Sequence, residues 1–170
     1  MLELIQTYYR YNAWATEQLL NACEQLTPEE WTAPGCSGNG STWETLDHLI
    51  NVQWGWFCWY DETKEMKEAI RLMLPKDLDT LQKARQRWVA VNEQTNTYIN
   101  GLTEESVKEI RSFVRSNGKQ ESHPVWKLLM HTANHGTHTR AQVFAAIRRA
   151  GHNPGNIDML NFILNVEGAS

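Results

Sequence analysis

The sequence predicts an all-α fold, a four-helix bundle with short extra helices, and three observations carry that expectation. Four stretches of roughly twenty or more residues repeat apolar side chains at three- and four-residue steps, the period of a helix packed on one side. Between them lie short runs rich in Gly, Pro, Asn and Ser, which interrupt regular structure. The 170-residue length suits a single domain spanning residues 1–170, with enough chain to bury a real core.

The first helix runs from Leu2 to about Leu26, with Leu4, Ile5, Tyr8, Tyr11, Ala15, Leu19 and Ala22 on its apolar face. Thr27, Pro28 and Glu30 then read as a cap, a first-turn proline and a capping-box acid that open a short helical turn. The segment APGCSGNGS, Ala33 to Ser41, is a loop by composition. Ser41 and Glu44 form a second capping box, and the helix they start continues through TWETLDHLINVQWGWFCWY to about Tyr60.

The charged segment DETKEMKEAIRLMLPKD is partly helical and breaks at Pro75. A third long helix follows from Asp77 to about Asn100, with Leu78, Leu81, Ala84, Trp88, Val91, Thr95 and Tyr98 inward. Gly101 ends it, and Thr103 to Glu105 caps another short turn. In IRSFVRSNGKQESHP the Asn117–Gly118 pair suggests a small hairpin or extended loop before the last long helix. That helix spans Pro124 to Ala150 and stops at Gly151; a short tail helix, IDMLNFIL, is expected to pack its apolar residues back on the body. Several connections are long, so a simple up-down-up-down order does not follow from the sequence.

Composition excludes several classes of function. Net charge is −4 with no dense basic patch, which argues against a nucleic-acid partner. Cys23, Cys36 and Cys58 are odd in number and widely separated, so neither a disulfide framework nor a cysteine zinc site is indicated, and a reduced, cytoplasmic setting is expected. The N-terminus lacks the pattern of a signal peptide, and no apolar run approaches membrane-spanning length. Eight tryptophans are many for this size, and they could fill a core, line a pocket or cover an interface.

The segment HTANHGTHTRAQ, residues 131–142, concentrates histidine on one helix. At about 100° per residue, His131, His135 and His138 fall within about 60° of one another, and Gln142 lies inside the same stripe. Histidines three or four residues apart can bring ring nitrogens to one ion, but two of them make half a site. His48, set in the middle of an apolar, tryptophan-rich helix, is the candidate partner from elsewhere. The helix carries neither the HExxH of a zinc protease nor the paired Glu-x-x-His of a di-iron bundle. A single histidine-bound ion, zinc or nickel, is the remaining metal design; a polar stripe without metal is the alternative.

Three segments, YRYNAWATEQLL, STWETLDHLINVQWGW and LLMHTANHGTHTRAQVFAAIRRAGHNPGNID, resemble the DinB/YfiT-like superfamily of metalloenzymes over nearly the whole chain. The resemblance implies a bundle with non-sequential helix order, often dimeric. It also implies an ion held by one histidine of the second long helix and an HxxxH pair on the last. His48 matches the first of these and His135 the second. The position of the third holds Thr139, in Thr139-Arg140-Ala141-Gln142 where the family has an HRGQ-like motif. His138 could substitute at i+3 from His135, His131 could pair one turn earlier, or the site could be weakened or lost.

The resemblance further implies a small-molecule substrate, including low-molecular-weight thiols. Its reaction classes are thiol S-transfer and hydrolysis, with the ion activating a thiol or water. A non-catalytic, stress-related binding protein with a degraded metal site is the reading of a different class. Trp54, Trp56 and Trp59 could wall a cleft, although packing is the commoner role for each. Glu44 reads first as a helix cap and second as a proton carrier. Arg140 reads as an ion-pair partner or an anion holder, and Cys58 as a small buried residue.

Overall fold

The computed structural model describes residues 1–35, 38–114 and 117–168. Cys36, Arg115 and Ser116 are among the residues outside the described ones. The four long helices are α1 (Leu2–Cys23), α3 (Thr42–Tyr60), α5 (Leu81–Asn100) and α6 (Val125–Arg149). Short helices α2 (Pro28–Thr32), α4 (Met66–Leu72) and α7 (Met159–Phe162) fill the connections and the tail. Strands β1 (Ile110–Val114) and β2 (Gln120–Pro124) form the one antiparallel hairpin among the described residues.

Local chemistry explains most of the boundaries. In both expected capping boxes the pairing is reciprocal: Glu30 N donates to Thr27 Oγ1 while Thr27 N donates to Glu30 Oε2, and Ser41 and Glu44 repeat the pattern. Gly118, at φ +81°, sits in the hairpin turn, where glycine is the least strained residue. The α5 helix begins at Leu81 instead of Asp77, because a tertiary contact competes for the first residues. The backbone N–H groups of Asp77 and Leu78 both donate to Asp47 Oδ1 on α3, at 3.1 and 3.0 Å. They stay outside the helix, and Thr80 caps it instead by accepting from Lys83 N.

Two expectations need correcting. Leu4, placed on the inner face of α1 by periodicity, is 63% exposed, while Asn12 and Thr16 are buried in its stead. The tail packs back only in part, with Ile157 and Met159 half-buried against the body. Phe162 alone among its large apolar residues is buried, against Tyr11 and Trp14, and Leu160, Ile163, Leu164 and Val166 face solvent. A four-residue helix followed by a π turn at Ile163–Glu167 turns Met159 and Phe162 toward the body and leaves the other large side chains outward.

Helices α1 and α3 each pack against both α5 and α6. Tyr9 of α1 donates to Leu129 O and Asn12 accepts from Arg140, so α1 and α6 run in the same direction. Gln53 of α3 bonds Asn12, and Phe57 meets Tyr9 edge-on, so α3 runs opposite to α1. Gln53 also donates to Thr95, and Phe57 meets Tyr98, which sets α5 parallel to α3.

Two large clusters make up most of the apolar core, with a small third one of Tyr11, Ala15 and Phe162 beneath the tail. One cluster gathers Leu19, Leu46, Ile50, Trp88, Val91 and Ile147; the other gathers Ile5, Tyr9, Phe57, Ile99, Leu128 and Leu129. Between them runs a buried polar waist with one residue from each long helix. Arg140 donates to Asn12 Oδ1, Asn12 Nδ2 donates to Gln53 Oε1 at 3.0 Å, and Gln53 Nε2 donates to Thr95 Oγ1 at 3.0 Å. Gly136 makes room for this crossing, since a Cβ there would lie 2.6 Å from Asn12 Oδ1. A paired polar layer of this kind penalises any register shift, because sliding one helix would leave several buried groups without partners.

Candidate functional site

His48 and His135 face each other across the α3–α6 contact. Their Nε2 atoms stand 3.1 Å apart, with the rings nearly perpendicular at 68°. Each is half-buried. Burial pushes the pKa of His48 below the usual imidazole value. Burial, reinforced by the neighbouring His48, His131 and His138, brings His135 down to about 4. Near neutral pH the pair therefore carries no positive charge, and one nitrogen must present a lone pair to its neighbour's N–H.

The helix carrying His48 is fixed on its flank by the segment that precedes α5. Glu44 accepts from Lys76 Nζ at 2.7 Å, Asp47 takes the two backbone N–H groups already described, and Asn51 donates to Pro75 O. These residues lie at i−4, i−1 and i+3 from His48 and limit its rotation. Glu44 is thus a cap and linker anchor, the first of its two sequence readings. Capping and Lys76 hold its carboxyl low, at about 2, and leave it without a free proton at neutral pH.

The other stripe histidines are placed differently. His138 is exposed, and its Nε2 lies 2.9 Å from Gln142 Nε2. The backbone at Gly38 presses on the Gln142 amide, where a Cβ would clash with Oε1. His131, also exposed, meets the edge of Trp56 at 5.6 Å. Thr139 is buried beside the pair, with its hydroxyl donating to His135 O at 2.9 Å and standing 3.5 Å from His135 Nε2. Among the described residues no group of three or more His, Cys, Asp or Glu side chains converges as a metal cage.

Neither sequence reading of Arg140 matches its surroundings. The side chain is wholly buried, and among the described residues no carboxylate pairs with it. Asn12, Thr16 and Thr137 accept from its terminal nitrogens, Tyr11 lies 5.7 Å beneath it, and Nε has no partner. It is the end of the polar waist. Asp47, Asn51 and Gln53 escaped the apolar-periodicity reading, although polar side chains recurring along an otherwise apolar helix were the signal that could have found them. Cys58 is buried, and Arg87 lies 4.4 Å over the Trp54 ring.

The cavities divide around these features. One, about 630 Å³, is lined with Asp61, Glu93, Glu109, Tyr98 and Arg111, and among the described residues no histidine borders it. A second, about 450 Å³, lies between α3, the hairpin and α6 and includes His131 and Trp56 in its wall.

The fold and site together define a helical protein in which two long helices oppose a neutral histidine pair beside a small aromatic-walled cavity. The chain belongs to the DinB family, whose model matches residues 1–166. It is similar to Protein DinB of Bacillus subtilis (strain 168), with 26% identity over 156 residues, covering 85% of this chain and 84% of that protein. No helix among the described residues is long and apolar enough to cross a membrane.

Proposed function

We propose that this DinB-family protein acts on a small molecule at the His48–His135 pair, and that the pair holds one divalent ion, zinc or nickel. The carrying observation is the 3.1 Å separation of two uncharged Nε2 atoms. That spacing is close to the ~3.3 Å edge of a tetrahedron of nitrogen ligands with bonds of about 2.0–2.1 Å. The residues present fit two positions of such an ion and no more. Thr139 fills the place where the resemblance implies a third ligand, and its proton is engaged by His135 O. His138 and His131 are the candidate third ligands, each needing a side-chain rotation away from its present neighbour.

A bound ion with open positions supplies a lowered pKa to a thiol or water, the chemistry of thiol S-transfer or hydrolysis. The chain's own contribution is positional. Asp47, Asn51 and Glu44 hold the α3 flank, the polar waist sets the helix register, and half-burial keeps both imidazoles neutral and ready to ligate. We take the helix order as non-sequential, since α1 and α3 each contact α5 and α6. A cytoplasmic setting and a homodimer belong to the same reading, with exposed Leu160, Ile163, Leu164 and Val166 supporting the latter.

Metal analysis of protein purified without an affinity tag, followed by zinc and nickel titration, tests the proposal. One ion per chain, lost in both His48→Ala and His135→Ala, is the expected result. If wild type binds no more tightly than either variant, the metal reading fails. Thr139 favours the second reading, a non-catalytic small-molecule binding protein on the same scaffold, and that outcome would leave it standing.

A further inference from the structure

We infer that the cavity between α3, the hairpin and α6 is a binding site for a small aryl carboxylate, a flat apolar body bearing one anionic group. Its wall consists of Trp56, Phe113, Leu128, His123, Lys127 and His131. At about 450 Å³ it falls within the range of small-molecule sites, generally ~300–1,000 Å³.

The apolar part of the wall is rigid before any ligand arrives. Trp56 stacks on Tyr60 at 28° and meets Trp59, Phe113 and His131 edge-on at 77°, 87° and 75°. Tyr60 is itself tied by its hydroxyl to Thr132 Oγ1 at 2.8 Å. Phe113 of the hairpin is held by Trp59 of α3 and by the ring of His123 on the neighbouring strand. Side chains already ordered lose little entropy on binding, so a planar ligand gains contact area at low cost.

The polar part of the wall selects the charge. Lys127, His123 and His131 all project donors or positive charge, and among the described residues no carboxylate lines the cavity. Glu121, cross-strand from Phe113, stands 3.6 Å from His123 and is offset by its ion pair with Lys119 at 3.0 Å. An aromatic box with carboxylates would suit an ammonium ligand; this one, ringed by nitrogen, suits an anion. Lys127 now rests 5.5 Å over the Trp126 ring, an exposed contact that a four-carbon stem can leave. The cavity is next to the histidine pair, because His131 precedes His135 by about one helical turn. The proposal does not depend on an ion at that pair.

The test uses the full chain with 2-naphthoate and its neutral isostere 2-naphthamide, read by NMR of the histidine ring and aromatic protons during titration. Naphthoate should shift His123, His131 and Phe113 signals and bind at least about tenfold more tightly than the amide, a difference of ~1.4 kcal/mol. Lys127→Gln, at an exposed position that leaves the fold intact, should remove most of that preference. Binding should persist in the His48→Ala/His135→Ala double variant. The proposal is overturned if neither compound binds, if acid and amide bind equally, or if the shifts fall on other residues. Loss of naphthoate binding in the double variant also overturns it and leaves the metal reading untouched, because the carboxylate would then be an ion ligand.

Discussion

Replacing Asn12 with alanine should cost far more than one hydrogen bond, because Asn12 is the joint of the polar waist. Its Oδ1 accepts from the buried Arg140, and its Nδ2 donates to Gln53 Oε1 at 3.0 Å. Hydrogen bonds to a charged group contribute about 1.5–3 kcal/mol, and an orphaned buried acceptor such as Gln53 Oε1 costs about 1–3 kcal/mol. Thr16, Thr137 and the Asn12 carbonyl still accept from Arg140, at 3.3, 3.3 and 3.5 Å, which offsets part of the first loss. The expected cost is therefore about 3–5 kcal/mol, a large share of a typical ~5–15 kcal/mol stability. Arg140→Met removes the buried charge itself but leaves Asn12 Oδ1 without its donor, and should cost less, about 1–3 kcal/mol. In that background Asn12→Ala should cost only about 1–2 kcal/mol, leaving a coupling of about 2 kcal/mol. Urea unfolding of the four proteins, followed by far-UV circular dichroism and tryptophan fluorescence, measures the cycle. Additivity within about 0.5 kcal/mol would refute the waist as a coupled unit.

Three further outcomes follow from the geometry. Thr139→His puts an imidazole one turn beyond His135 and should tighten zinc affinity by about tenfold or more, whereas His138→Ala should leave it nearly unchanged; calorimetric titration reads both. Gly55→Ala would bring a Cβ within 2.7 Å of the Ala69 carbonyl, so α4 should be displaced at a cost of about 1–3 kcal/mol, with faster proteolysis of residues 61–76 if the contact matters. Ion-free protein should lose stability as pH falls from 6.5 to about 4. In that window the unfolded chain protonates His135 and the folded chain does not, so the unfolded state binds more protons and acid favours it. Discounted for partial exposure the loss is about 1–2 kcal/mol, and it should shrink in His135→Gln to the part that His48 contributes; an unchanged pH profile in that variant would contradict the shift.

Much of the helical framework was legible because its signals are local. The Thr27/Glu30 and Ser41/Glu44 boxes, the Asn117–Gly118 turn and the stop at Gly151 each act within a few residues, and backbone chemistry there does not wait for the rest of the fold. The apolar steps of α5 fixed its inner face for the same reason, with Ala84, Trp88, Val91 and Thr95 all buried. Where a distant partner intervened, the local signal misled. Asp47 drew Asp77 and Leu78 out of α5, and a solvent-facing Leu4 took the place that buried Asn12 and Thr16 occupy.

By itself, then, the sequence determined that the chain would be helical, where its long helices lie, and that three histidines share one face of the last. Only the tertiary structure decided that His48 meets His135, that His138 turns to Gln142 and His131 to Trp56, and that Arg140 closes a polar chain instead of an ion pair. Periodicity sets which way a side chain points around its own axis, a property of a few neighbouring residues. What it then meets depends on the register of a second helix dozens of residues away, and that register is chosen by the whole core at once.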